Sequence, residues 1–125
     1  MQSLIVIAPQ TLTFGGLAAA VKARYPSARR SEERCIVEEG AAHAYLERDP
    51  FIPDELEPDV LARISHEIPN PHFFTLDFTD LDLCKAIVVA IADRDDVLVC
   101  DDHGNIRRGS KFVEQIRMSP SWDWR

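Results

Sequence analysis

Cys35 and His43 form the one cysteine–histidine pair that local chain geometry could bring together. Glu39-Gly40-Ala41 between them reads as a hairpin turn, with Gly40 free to take positive φ. Such a pair does nucleophilic chemistry only where the thiol pKa is lowered. His66-Glu67 opens like the HExxH of zinc proteases, but the next histidine is His72, beyond Pro69 and Pro71. Those prolines end the helix that would aim two imidazoles at one metal. Asp101-Asp102-His103 puts three metal-ligating residues in a row. Neighbouring strand residues face opposite ways, so a shared ion would reach two of them at most, and a turn bonded to its own backbone is the simpler reading. Gly15-Gly16 follows an apolar run and could admit a phosphate, although neither GxGxxG nor P-loop spacing is present. With no GxSxG elbow or paired-carboxylate signature either, the residues favour binding over catalysis, and neither metal nor cofactor is expected. The alternative is a small enzyme or ligand-binding regulatory domain using Cys35/His43 or the Gly15-Gly16 turn.

The elements that must position these residues follow from periodicity. Ser3–Ala8 is a continuous apolar run ended by Pro9, as in a strand buried on both faces. Thr11 or Thr13 caps a helix carrying Phe14, Leu17, Ala18, Val21 and Tyr25. Arg34–Glu38 and Ala42–Arg48 read as paired strands, and Asp49–Pro58, with three prolines, as a loop. Pro58 starts a helix with Val60, Leu61, Ile64 and Ile68 as its stripe. After a run of β-formers, HFFTLDF (72–78), Thr79 or Asp80 caps a helix over Leu81–Asp93. In that helix Leu81, Cys84, Ile87, Val88 and Ile91 face the core, while Asp82 and Lys85 face solvent. Val97–Cys100 is a short strand, and Ser110 caps a last helix built on Phe112, Val113 and Ile116. Trp122 and Trp124 are expected to pack on the domain rather than stack on bases. The order implies an α+β fold: a mixed, mainly antiparallel sheet of about five strands with helices packed on it. The opening βαββ followed by αβ resembles ferredoxin-like topology.

A chain of 125 residues, 46% hydrophobic and 28% charged, is expected to be a single globular domain spanning residues 1–125. No apolar run approaches the ~20 residues that span a bilayer. The opening MQSLIVIAPQ lacks a basic n-region, and Cys35, Cys84 and Cys100 are odd in number without CxxC spacing. A bacterial-type cytoplasmic location without membrane attachment is therefore expected. The net charge of -7 is unevenly spread. Residues 1–31 hold four bases and no acid, residues 32–105 nineteen acids against five bases, and residues 106–125 five bases against two acids. An acidic centre repels nucleic acid and steers a basic protein towards it. Its carboxylates cluster at Glu38-Glu39, Asp54-Glu55-Glu57-Asp59, Asp93-Asp95-Asp96 and Asp101-Asp102.

The stretch Val97–Val113 (VLVCDDHGNIRRGSKFV) has a short strand, an acidic turn with glycine, and Gly-x-x-Phe at a helix start. With the preceding HFFTLDFTDLDLCKAIVVAIADR it is similar to the C-terminal region of small bacterial immunity proteins of polymorphic toxin and contact-dependent growth inhibition systems. The likeness covers roughly residues 72–113 and carries no individual contact residue with it. It implies a non-catalytic inhibitor whose partner is the C-terminal domain of a cognate toxin, frequently a nuclease. Clustered carboxylates suit such a partner, since they mimic phosphates and speed association. The expected contact residues are Asp93, Asp95, Asp96, Asp101, Asp102 and His103, two turns flanking one short strand, together with Glu38 and Glu39.

Overall fold

The computed structural model describes residues 1–125. At its centre lies β1 (Gln2–Ala8), paired antiparallel with β5 (His72–Phe78) on one side and β6 (Leu98–Cys100) on the other. Flanked on both edges, β1 turns Leu4, Val6 and Ala8 into the larger core and Ile7 into the smaller one, all buried, while Ile5 on the second face is half-buried. Thr13 caps α1 (Phe14–Arg24), its hydroxyl accepting the Gly16 N–H at 3.1 Å. A meander of β2 (Arg29–Ser31), β3 (Arg34–Glu39) and β4 (Ala42–Arg48) follows, with Gly40 at φ +60° in the β3–β4 turn. The segment expected to be a loop holds one short helix, α2 (Ile52–Glu55), ahead of α3 (Pro58–Glu67). Asp80 caps α4 (Leu81–Ala92) by accepting the Leu83 N–H at 2.9 Å. After β6, the chain forms β7 (Ile106–Arg108) and α5 (Gly109–Met118).

All seven strands form one sheet in the order β2-β3-β4-β5-β1-β6-β7, and every neighbouring pair is antiparallel. The fold is α+β as expected, but the sheet is not mixed and has seven strands rather than about five. β2 and β7 supply the difference. Each has three residues and pairs on one side only, and neither RRS nor IRR shows apolar alternation. Within the sheet, β1 and β4 run parallel with β5 between them, and β5 and β6 run parallel with β1 between them. The helices α1 and α4 make the two crossovers, which is the split βαβ arrangement of a ferredoxin-like sheet. It is built from β1, β4, β5 and β6 rather than from the N-terminal part alone. The meander β2–β3 extends it at one edge, β7 at the other, and α2–α3 are an insertion.

The two faces are covered differently. Helices α1, α4 and α5 pack on one, where Phe14, Leu17, Ile87, Val88, Phe112 and Val113 meet Leu4, Val6, Leu46, Phe74 and Val99. On the other, α2 and α3 bring Ile52, Ile64 and Ile68 onto Ile7, Phe73 and Leu98. The outer surface of β2–β3–β4 lies outside that second cluster and stays open, with Ile36, His43 and Tyr45 half-buried. Because α4 lies between α1 and α5, burial extends beyond its expected stripe to Leu83 and to Lys85. Lys85 was expected to face solvent; instead the C-terminal segment crosses it, and its ammonium donates to the Pro120 carbonyl at 2.6 Å. Trp124 is buried and stacks edge-on with Phe112 at 4.9 Å and Phe78 at 6.4 Å, so the tail packs on the domain.

Candidate functional site

The hairpin register separates the cysteine–histidine pair. Leu46 lies opposite Cys35, and Glu38 opposite His43. Cys35 points with Val37 and Leu46 into the α1–α4 core, and His43 shares the other sheet face with Tyr45. No base therefore reaches the thiol. Burial pushes the Cys35 thiol up, against the lowering pull of Lys22 and Arg30. Cys84 is raised by burial, and Cys100 by burial and by the charges of Asp101 and Asp102. All three are buried thiols held in the protonated form. The Gly16 N–H is already committed to Thr13, and no three His, Cys, Asp or Glu side chains converge as a metal ion would require.

The acidic residues expected to meet a partner divide into those engaged within the chain and those left free. Asp101 is buried, accepting the N–H groups of His103 at 2.9 Å and Asn105 at 3.0 Å, the Asn105 side-chain amide at 3.2 Å and Arg107 at 3.3 Å. Burial opposes its ionisation, but these hydrogen bonds outweigh burial and hold the carboxyl below its ordinary range. Asp96 is gripped by both arms of Arg94, at 2.7 and 2.8 Å, and is lowered chiefly by that hydrogen bonding. Asp93 pairs with Arg117 at 3.1 Å and Glu38 with Arg29 at 2.6 Å, while Asp95 accepts from the Ser110 hydroxyl. Glu39, Asp102 and His103 are exposed, and their side chains form no bond within the chain.

Strand direction fixes where these groups sit. β6 separates Asp93–Asp96 at one end of the sheet from Asp101–Asp102 at the other. Glu38 and Glu39 lie at the same end as Asp101, but four strand spacings away across β4, β5 and β1, about 19 Å. The expected residues thus form separate patches. The inserted α2–α3 layer joins the two patches at the ends of β6, and Glu38 and Glu39 stay apart from it. Glu67 of α3 lines a concavity of about 270 Å³ with Asp95 and Asp96, and Glu55 of α2 lines one of about 460 Å³ with Asp101 and Asp102. Asp54, Glu57 and Asp59 continue the layer, exposed and without an ion pair. The sequence shows these acids as a cluster; it does not show that a helix insertion carries them to the face beside β6.

Comparison with protein-family models, with curated proteins and with solved structures finds no match for this chain.

Proposed function

We propose that this chain is a non-catalytic immunity-type protein that binds and neutralises a basic bacterial toxin domain, of the nuclease class, through the acidic α2–α3 side of its sheet. The observation that carries the reading is the separation of charge between the two helical layers. The helices α2 and α3 hold Asp54, Glu55, Asp59 and Glu67 against Arg63, a net of -3, with Glu57 between them. The opposite layer of α1, α4 and α5 holds Lys22, Arg24, Lys85, Lys111 and Arg117 against Asp82 and Glu114, a net of +3. A molecule polarised in this way orients a basic partner before contact, and association driven so is fast and sensitive to salt. The α2–α3 carboxylates are also unspent, whereas those at Asp93, Asp96 and Glu38 are already paired.

Affinity capture from the native host followed by co-expression tests the reading. The expected result is a basic protein that arrests growth when produced alone and ceases to do so when this chain is produced with it. Capture of only non-toxic proteins, or toxicity unchanged by the chain, contradicts it.

A further inference from the structure

The larger of the two concavities has the makings of a receptor for a single amphipathic cation. Its lining includes four apolar side chains, Ile5 of β1, Ile52 and Leu56 of the α2 segment, and Cys100 at the end of β6. The same lining carries Asp49, Glu55, Asp101 and Asp102, and no basic side chain. These four carboxylates are in different states. Asp101 is saturated by its own turn, and its work is to hold that turn in the shape that presents Asp102. Asp49 accepts the Phe51 N–H at 3.0 Å and the Thr75 hydroxyl at 3.5 Å. Glu55 and Asp102 are exposed and unbonded.

We infer that this concavity receives an arginine side chain presented by the protein partner, an inference that rests on the reading of the chain as a binder of a basic protein. An arginine has an aliphatic stem to lie on Ile5, Ile52 and Leu56, and a planar guanidinium to reach Glu55 and Asp102. The guanidinium fork bonds two acceptors at fixed angles, which a lysine ammonium does not reproduce. A neutral apolar side chain would cover the apolar lining but leave two carboxylates partly desolvated and unpaired, a costly arrangement. The asymmetry between a satisfied Asp101 and a free Asp102 in one turn fits the same division: one residue builds the site and the next serves the guest.

The test is a titration of the isotope-labelled full chain with N-acetyl-argininamide, followed by amide NMR, with the citrulline counterpart as the uncharged isostere. The inference expects saturable shifts confined to the amides around Ile5, Thr75 and Gly104, and none of that pattern with citrulline. The double variant Glu55→Gln/Asp102→Asn, whose spectrum itself reports that the fold persists, should bind about tenfold more weakly. Shifts spread over every acidic surface without saturation, equal shifts from citrulline, or an unaltered titration of the double variant each overturn it. Failure here is distinguishable from failure of the parent reading. If no arginine binds the concavity while the chain still neutralises a captured toxin, only the concavity assignment falls. If arginine binds as described and no toxic partner exists, the concavity stands and the toxin reading falls.

Discussion

At Asp101 burial and hydrogen bonding act against each other, and hydrogen bonding wins. Its carboxyl is held below the ordinary value of 3.8, so in acid the unfolded chain takes up this proton before the folded one. Folding stability from Asp101 is complete above the ordinary carboxylate range and is lost as pH falls through it towards the depressed folded value. Asp101→Asn is expected to cost about 1–3 kcal/mol near neutrality, since the turn loses charge-assisted bonds. It should also have a shallower acid limb below about pH 5 in urea melts. An acid limb as steep as that of the parent chain would show that Asp101 does not govern it. Gly109 is a second residue with a sharp consequence. A Cβ at this position would lie 1.9 Å from the Ala92 carbonyl oxygen, and the glycine N–H donates to the Val97 carbonyl at 2.7 Å. Gly109→Ala must push backbone away from backbone, and a loss of at least about 2 kcal/mol is expected in a denaturant melt. Neither role is visible in DDHGN or RRGSK, where the same letters serve equally for a surface turn or a helix cap. The Cys35/His43 pairing shows the converse. The hairpin was legible, but a one-residue change of register moves every side chain to the other face.

Among the elements, α4 was the most legible, because its apolar residues recur at helical spacing over three turns and Asp80 marks the start. Ile91, at 4% exposure, should cost about 2–5 kcal/mol on truncation to alanine, measured by equilibrium unfolding. A cost near zero would mean that this face of the helix is not packed. Lys85 breaks the pattern for a reason outside the helix. Its ammonium is covered by the returning tail and anchored on Pro120, a contact between positions too far apart for any local period to reveal. Lys85→Met keeps the volume and removes the anchor, leaving the Pro120 carbonyl short of a donor. The tail carrying Trp122 and Trp124 is then expected to loosen, with a red shift in tryptophan emission before global unfolding. An unshifted spectrum would show that the aromatic contacts with Phe112 hold the tail alone. β2 and β7 were illegible for a different reason: a three-residue strand at a sheet edge needs no apolar face, since it borrows its stability from one neighbour.

Across the whole molecule, part of each linear charge block is sorted by layer. Lys22 and Arg24 of α1 and Lys111 and Arg117 of α5 lie on one side of the sheet and the acids of α2 and α3 on the other, while Arg29, Arg30, Arg107 and Arg108 stay in the edge strands β2 and β7. That conversion depends on the insertion between β4 and β5 crossing to the far face, which composition does not encode. The acidic clusters were therefore readable as residues, while their grouping was not. If the acidic layer is the docking face, its charge should govern encounter with the basic partner. The most direct measurement is the association rate with the captured toxic protein, taken at several salt concentrations for two charge-reversed variants. Asp54→Lys/Glu57→Lys/Asp59→Lys alters the α2–α3 layer, and Lys22→Glu/Arg24→Glu alters the opposite one. The account expects the first variant to associate about tenfold or more slowly with a flattened salt dependence, and the second to associate at least as fast as the parent chain. Slowed association of the second variant, with the first unaffected, would place the interface on the α1–α4–α5 side and contradict the account.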